Sequence, residues 1–298
     1  MTEIDMPIMV ADTTCKTGEG PMWHEGERKV YWVDIPNGQI FRYDPDNGEY
    51  EAFYKSDETI GGYTFQEDGG LLLFQDNGAI RLLKNGAVSE IVKDIEDERG
   101  GRFNDVIADP EGRVFCGTMP IGDRPGKLYR LDLDGTLTVV IEDAGLSNGL
   151  GFTPDLEYLY HSDSSDNRII TKSKYNRATG ALTDRRFFFH PGENEGLPDG
   201  MTVDAEGYVW SAQWDGSALI RIAPEGNEVH RISFPAKKVS SVIFGGDDYQ
   251  EAYVTTANVN GRDDEGSGAG ALFRINLGVQ GRPEFCSKIS VAESSRSS

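Results

Sequence analysis

Cysteine and histidine are scarce in this chain, and each shortage argues against a class of site. Three cysteines, Cys15, Cys116 and Cys286, are too few and too scattered for a disulfide framework or a thiolate-ligated zinc site. Their small number favours a reducing, cytoplasmic compartment over a Cys15–Cys286 bond between the two ends of the chain. The four histidines have no spacing typical of a metal site or an activated nucleophile, so we expect them to be structural.

Basic residues and long apolar runs are also lacking. The 29 lysines and arginines against 50 aspartates and glutamates give a formal net charge of −21, which argues against nucleic acid because binding there depends on basic contacts to phosphate. No apolar run approaches the ~20 residues of a membrane span, and residues 1–10 do not resemble a signal peptide. We therefore expect a cytoplasmic monomer or small homo-oligomer with no nucleic-acid or membrane partner.

Helical periodicity is almost absent, and a strand-forming unit recurs in its place. In the clearest copy, from Leu197 to Trp210, a carboxylate precedes a short apolar run, and an acidic-Gly turn leads to a second apolar run. Each copy places a polar or small residue four positions before an apolar one, and these residues lie 41 to 51 positions apart. We call them the in-phase residues: Glu19, Gly61, Asn104, Asn148, Asp199 and Ser240.

Six units of this length predict an all-β fold, a six-bladed β-propeller with four antiparallel strands in each blade. The chain is then a single domain spanning residues 1–298, with residues 291–298 expected to be flexible. Two β-sandwich domains are the alternative, but they would need a linker and a break in the period, and the sequence has neither. Residues 7–14 resemble a strand, and we expect them to pair with the last blade and close the ring.

The topology of such a blade places the in-phase residues at one rim of the central channel. The entry to the innermost strand and the turn between the second and third strands lie at the same end, so five loops should share that rim. The longest is glycine-rich and acidic, and it could be a lid over the site or a disordered segment. The loops span residues 35–38, 118–127, 162–167, 213–216 and 257–270.

Three in-phase residues, Glu19, Asn148 and Asp199, are predicted to converge on one point with Asn104 nearby. Two carboxylates and one or two amides offer only oxygen ligands, which suit Ca²⁺, Mg²⁺ or Mn²⁺ better than zinc. The alternative is that polar residues at strand starts merely close the channel and hold buried water.

Five sets of segments carry further information: Gly18-Glu-Gly-Pro-Met-Trp23, Arg102-Phe-Asn-Asp105 with Gly117-Thr-Met119, Leu146-Ser-Asn-Gly-Leu150, Leu197-Pro-Asp-Gly-Met-Thr-Val-Asp204, and Val239-Ser-Ser-Val-Ile-Phe-Gly-Gly246 with Ala252-Tyr-Val-Thr-Thr256. Over nearly the whole chain, their order and spacing resemble the signature segments of the senescence marker protein/regucalcin/gluconolactonase family. The resemblance implies a six-bladed propeller that binds one divalent metal ion and hydrolyses a sugar lactone to the aldonic acid.

The resemblance also implies roles for five residues. Carried over by position, Glu19, Asn148 and Asp199 would be metal ligands, and Asp199 would double as general base. Arg102 and Asn104 would hold the substrate. The metal could be Ca²⁺, Mg²⁺, Mn²⁺, Zn²⁺ or Fe²⁺, and the oxygen ligands favour a calcium-like ion.

The chemistry of the residues themselves agrees with this reaction and leaves rivals open. A cation polarises a lactone carbonyl and acidifies bound water, and Asp199 could accept a proton from the attacking water. Another ester or phosphotriester hydrolase, or a non-enzymatic metal-binding propeller, would use the same site. Ile121 stands where some family members have a glutamate that contacts sugar hydroxyls, so glucono-, xylono- and arabinolactone all stay open.

Two aromatic residues flank the predicted rim. Phe103 is expected to pack in the core, whereas Trp214 could belong either to the core or to an apolar wall of the site. His161 directly precedes the loop at residues 162–167, and it is the one histidine whose position bears on the site.

Overall fold

A computed structural model describes residues 6–290 of the chain, and its regular structure is almost entirely β-strand. Twenty-four strands form six antiparallel sheets of four strands each, which confirms the six-bladed propeller. The expected flexibility of residues 291–298 concerns residues outside the described part. Within that part, no helix is long and apolar enough to cross a membrane.

The first three blades follow one another along the chain, each running from its innermost to its outermost strand. Their strands are, in blade 1, β2 (Gly18–His24), β3 (Lys29–Asp34), β4 (Gln39–Asp44) and β5 (Glu49–Lys55); in blade 2, β6 (Ile60–Phe65), β7 (Leu71–Gln75), β8 (Ile80–Lys84) and β9 (Ala87–Val92); and in blade 3, β10 (Phe103–Ala108), β11 (Val114–Thr118), β12 (Gly126–Leu131) and β13 (Leu137–Gly145).

Blades 4 and 5 repeat this order, and blade 6 takes its outermost strand, β1, from the start of the chain. Two short helical turns lie in loops: a 3₁₀ turn at Glu96–Glu98 and α1 at Arg262–Glu265. The strands are, in blade 4, β14 (Ser147–Phe152), β15 (Tyr158–Asp163), β16 (Ile169–Asn176) and β17 (Ala181–Phe189); in blade 5, β18 (Leu197–Val203), β19 (Val209–Trp214), β20 (Ala218–Ile222) and β21 (Glu228–Ser233); and in blade 6, β22 (Lys238–Gly245), β23 (Glu251–Ala257), β24 (Leu272–Asn276) and β1 (Ile8–Ala11).

The ring closes through β1. This strand pairs antiparallel with β24, with Ile8 opposite Arg274 and Met9 opposite Phe273. The prediction that residues 7–14 complete the last blade is therefore confirmed. Closure covers the backbone edge that β24 would otherwise expose, and it brings blade 1 against blade 6 through β2 and β22.

The core lies between neighbouring blades, because the alternating residues of each strand face the next sheet. Blades 3 and 4 meet through Phe115, Phe152 and Tyr175, whose ring centroids are 4.8 to 6.1 Å apart. Burying one such ring stabilises the fold by about 2–3 kcal/mol, and comparable apolar clusters join the other blades. Phe103 is fully buried against Phe74 and Tyr129, as predicted.

Every innermost strand changes register beside its in-phase residue. The antiparallel pairing of β18 with β19, for example, is regular up to Pro198 and resumes at Met201, so Asp199 lies in a bulge. The in-phase residues are the second or third residue of each innermost strand, at its entry as expected. A bulge turns a side chain out of the regular alternation, which explains why an in-phase residue faces the channel.

A segment that follows the last strand closes the opposite end of the channel. Residues 277–290 cross the lower face, where the turns between the first and second strands of the blades lie. The backbone N–H of Ala205 donates to Gln280, Lys288 donates to Gly112, and Ser287 donates to Phe65. This C-terminal segment therefore fastens blades 2, 3 and 5 to one another beneath the channel.

Candidate active site

The five residues singled out from the sequence line one cavity of about 270 Å³ at the upper mouth of the channel. Four of them are deeply buried: Glu19, Asn104, Asn148 and Asp199 are 3–6% exposed. The predicted convergence of blades 1, 3, 4 and 5 is therefore observed. The cavity is completed by Thr17, Ile35, Met119, Leu146, Ser164, Leu197, Trp214 and Val259.

Each of the five predicted rim loops contributes one residue to this cavity. Ile35, Met119, Ser164, Trp214 and Val259 come from the loops in chain order. Trp214, for which the sequence left two positions open, is part of the apolar wall. Four of these five rim residues are apolar and surround the opening of the cavity. The floor of the cavity is formed by the buried polar residues Glu19, Asn104, Asn148 and Asp199.

Glycines let the inner strands approach closely enough for the floor residues to meet. A Cβ at Gly149 would lie 2.4 Å from the carbonyl oxygen of Asp199, and one at Gly200 would lie 2.2 Å from Oγ of Ser241. Both distances are far inside van der Waals contact, so no larger residue fits without moving a strand. Each glycine directly follows an in-phase residue, and the short strand separation is what brings Asn148 and Asp199 together.

Two buried oxygen atoms on the floor have no hydrogen-bond partner. The amide Nδ2 of Asn148 donates to Oγ of Ser164 at 3.0 Å, and Ser164 Oγ donates to the carbonyl of Pro198 at 2.6 Å. This bond orients the Asn148 amide so that its Oδ1 is left unpaired, as is Oδ1 of Asp199. Buried acceptors without donors are costly, and a hard cation is the ligand that would satisfy both.

The electrostatics of the floor also fit a cation. Burial raises the pKa of Glu19 well above its usual range, and the neighbouring charges of Asp199 and Asp105 raise it further. Burial likewise raises the pKa of Asp199, followed by the effect of Asp105. The positive charge of Arg102 lowers both pKa values but does not offset these effects, so a further cation would stabilise the two carboxylates. In residues 6–290 no three His, Cys, Asp or Glu side chains group as a metal site.

Arg102 and Asn104 form a connected pair beside these acidic groups. Arg102 Nη1 donates to Oδ1 of Asn104 at 2.7 Å and to the carbonyl of Phe103 at 2.9 Å. Asn104 Nδ2 donates to the carbonyl of Ser147 at 2.9 Å. The Asn104 side-chain oxygen is therefore engaged by Arg102, and its main effect in this state is to hold the guanidinium at the cavity. Burial lowers the pKa of Arg102.

His161 lies behind the floor and is not part of the cavity lining. It is 1% exposed, and its Nε2 lies 2.8 Å from Oγ of Ser147, the residue before Asn148. Burial lowers its pKa to about 4, so the ring is neutral at physiological pH. The expectation of a structural histidine agrees with this position.

Ile121 packs away from the cavity. A Cβ added to Gly101 would lie 2.7 Å from Cδ1 of Ile121, so the side chain rests on the backbone next to Arg102. Met119, not Ile121, is the residue of this loop that lines the cavity. No carboxylate from this loop reaches the cavity lining.

Sequence reasoning missed Asp105 and three residues of the cavity lining, Thr17, Leu146 and Leu197. Asp105 lines a second cavity of about 60 Å³ deeper in the channel, and burial raises its pKa to about 7. A signal for the lining did exist: the residue two positions before an in-phase residue repeatedly faces the cavity. Thr17, Arg102, Leu146 and Leu197 all occupy that position.

The fold and the site together define a six-bladed propeller with an oxygen-lined pocket at one mouth of its channel. Residues 17–258 match the family model described as SMP-30/gluconolactonase/LRE-like region. The chain is 44% identical over 287 residues to a pentonolactonase, XacC, of Haloferax volcanii, with 94% of this chain and 97% of the relative covered. It is 34% identical over 295 residues to regucalcin of Xenopus laevis, with 94% and 97% covered.

A solved structure is similar to this chain over nearly its whole length. A luciferin-regenerating enzyme matches with a TM-score of 0.85 and 27% identity, covering 95% of this chain and 100% of that chain. The protein belongs to the SMP-30/gluconolactonase/LRE-like family.

Proposed function

We propose that the protein is a carboxylic-ester hydrolase that opens a sugar lactone to the aldonic acid, with one divalent cation as cofactor. The observation that carries the proposal is the pair of unpaired buried oxygens, Asn148 Oδ1 and Asp199 Oδ1, in the same cavity as Glu19 and Arg102. The 44% identical relative named a pentonolactonase supports a five-carbon substrate.

Glu19, Asn148 and Asp199 would hold the cation. They supply two negative charges against its two positive charges, and all three offer oxygen atoms, which Ca²⁺, Mg²⁺ and Mn²⁺ prefer. When bound, the cation supplies Lewis acidity that polarises the lactone carbonyl and favours attack by water. The amide of Asn148 is already fixed by Ser164, so little side-chain ordering is required on binding.

Asp199 is the general base. Its carboxylate accepts a proton from the attacking water as the water oxygen bonds to the carbonyl carbon of the lactone. The bond between that carbon and the ring oxygen then breaks, and the ring oxygen leaves as a hydroxyl by taking the proton that Asp199 accepted, which restores the carboxylate. The product is the open-chain hydroxy acid, so one lactone and one water are consumed for each acid formed.

Arg102 orients the substrate. Its guanidinium is fixed on one side by Asn104 and the carbonyl of Phe103, and its other donors are available to ring hydroxyls. Holding the ring in one orientation keeps the carbonyl carbon within reach of the base, and such positioning is a major part of a catalytic rate enhancement.

The test is a hydrolysis screen on chelator-treated protein. Xylono-, arabino- and gluconolactone are each supplied with Ca²⁺, Mg²⁺, Mn²⁺, Zn²⁺ or Fe²⁺, and acid release is measured against the spontaneous rate. We expect no turnover without a cation and turnover with at least one lactone when it is restored. Cation binding without hydrolysis of any lactone would overturn the proposal, and turnover of an organophosphate alone would point to a phosphotriester hydrolase.

A further inference from the structure

The mouth of the cavity differs on opposite sides of the ring. Arg102 on blade 3 is two positions before an in-phase residue, and Lys238 on blade 6 occupies the same position three blades away. Arg102 lines the cavity, but Lys238 does not. The side of the mouth formed by blades 5 and 6 presents Trp214 and Val259 in its place.

Lys238 has its charge fully engaged beneath Trp214. Its Nζ lies 2.9 Å from both carboxylate oxygens of Glu265 and 2.7 Å from Oδ1 of Asp215. The same Nζ lies 5.4 Å from the centroid of the Trp214 ring, within range of a cation–π interaction. The Lys238 and Glu265 side chains are 8% and 1% exposed. The ammonium therefore supports the indole instead of binding solutes.

Glu265 connects the long rim loop, residues 257–270, to Lys238 through their ion pair. It ends α1 within residues 257–270, the loop for which the sequence left open a lid or disorder. Asn260 Nδ2 donates to Glu265 Oε1 at 2.7 Å, and the backbone N–H of Lys237 donates to the Glu265 carbonyl at 2.6 Å. The loop is folded, with Val259 held at the cavity one residue from Asn260. It forms a fixed wall in this structure.

We propose that Trp214 is a specificity-determining residue that packs against the ring of the lactone, and that Lys238 and Glu265 are positioning residues that hold it there. A sugar ring has hydroxyl edges and a C–H face. The hydroxyls suit the guanidinium of Arg102, and the C–H face suits the indole on the other side of the mouth. The substrate class is then a compact, hydroxylated lactone. This inference rests on the proposed function.

The first experiment separates binding from chemistry. Trp214→Ala is expected to raise KM for xylono- and arabinolactone at least tenfold while kcat stays within about threefold, because the indole touches the ring and not the carbonyl. Trp214→Phe keeps a flat apolar face and should keep KM within about threefold. Equal KM values for Trp214→Ala and the unmodified protein would overturn the inference, even where lactone hydrolysis itself is established.

The second experiment tests the positioning residues with a matched control. Glu265→Gln is expected to raise KM about fivefold, whereas Asp264→Asn, an exposed acid in the same helical turn, should leave KM unchanged. The double variant Lys238→Met/Glu265→Leu removes both buried charges together, which avoids an unpaired ion, and should raise KM similarly. Indistinguishable KM values for Glu265→Gln and Asp264→Asn would remove Lys238 and Glu265 from the proposal.

A readout without turnover distinguishes this inference from the proposed function. In an Asp199→Asn background, adding xylonolactone should change the tryptophan fluorescence, and the change should vanish when Trp214→Phe is added. Failure of every lactone to be hydrolysed by the unmodified protein would defeat the proposed function. Hydrolysis together with a fluorescence change that persists in Trp214→Phe would defeat this inference alone.

Discussion

The two ends of the channel are built from the same six inner strands but have opposite properties. At the upper mouth, Asn148 and Asp199 present buried oxygens with no partner. At the lower face, Gln66 makes two bonds to Ile289: its Nε2 donates to the Ile289 carbonyl at 2.9 Å, and its Oε1 accepts from the Ile289 N–H at 3.0 Å. The upper mouth thus keeps carboxylate and amide oxygens without partners, whereas at the lower face the C-terminal segment satisfies the amide of Gln66.

The difference indicates that the two ends of the channel contribute differently, the upper mouth to the proposed function and the lower face to stability. Unpaired buried polar atoms cost stability, so a protein that keeps them at the upper mouth must gain stability elsewhere. The C-terminal segment supplies it below, where it also closes the channel. Changes at the upper mouth should therefore affect activity with little loss of stability, and changes at the lower face should do the reverse.

The largest expected effect is on activity at the upper mouth. Asp199→Asn should lower kcat by 10²- to 10⁴-fold, the usual contribution of a general base. The free energy of unfolding of the cation-free protein should stay the same or rise, because burial disfavours the Asp199 carboxylate and raises its pKa. Parallel kinetics and urea denaturation measure both quantities. Retained turnover in this variant would refute the role of Asp199.

The matching change at the lower face should affect stability alone. Ile289 is 3% exposed and packs in the apolar cluster of blades 2 and 3. Ile289→Ala should lower the free energy of unfolding by about 2–4 kcal/mol, with kcat/KM of the folded protein unchanged. Lys288→Ala is the control, because its ion pair with Glu67 is exposed and should contribute less than ~1 kcal/mol. Loss of activity without loss of stability in Ile289→Ala would contradict the comparison.

A smaller effect is expected at Ser164, which lies behind the proposed cation ligands. Ser164→Ala removes the acceptor that orients the Asn148 amide, and cation affinity should fall about tenfold, as is typical when a group supporting a ligand is lost. Titration calorimetry with Ca²⁺ measures the affinity, and Ser165→Ala on the same loop serves as control. Unfolding in the presence of a chelator should change by no more than ~1 kcal/mol. Unchanged affinity would show that Ser164 does not orient Asn148.

The smallest effect is on the pH dependence of stability and concerns Glu284, which lines the second, deeper cavity. Burial raises the pKa of Glu284 from 4.5 to about 7. The folded protein thus binds this proton more tightly than the unfolded chain does, so stability falls as pH rises from about 4.5 to about 7. Glu284→Gln should flatten this fall by about 1 kcal/mol, given partial contact with channel water. Denaturation of cation-free protein at pH 5 and pH 7.5 checks it, and identical pH slopes in the two proteins would contradict it.

The sequence predicted the ring and the convergence because both depend on local, repeated spacing. In every inner strand an apolar residue follows the in-phase residue by four positions, as it does after Glu19, Asn148 and Asp199. Each predicted rim loop supplies one residue of the cavity. The roles of these residues as cation ligands and base stay predictions until the variants are measured.

The features that were not predicted depend on contacts between distant parts of the chain. The bulge at Asp199 is defined by pairing with the next strand, and a sequence pattern does not reveal that the register changes. The burial of Lys238 was not predictable from the sequence, because its partners, Asp215 and Glu265, lie 23 and 27 positions away on either side. The closing of the lower channel by residues near Ser287 requires a contact with Thr64, more than two hundred positions earlier.

The pairing of β1 with β24 has a consequence for how the protein is made. Ile8 and Met9 are translated long before their partners Arg274 and Phe273, which lie more than 260 positions later in the chain. Until β24 is translated, β1 has no partner in its sheet. Completion of the sixth sheet therefore requires a contact between residues more than 260 positions apart, and contacts of such sequence separation slow folding.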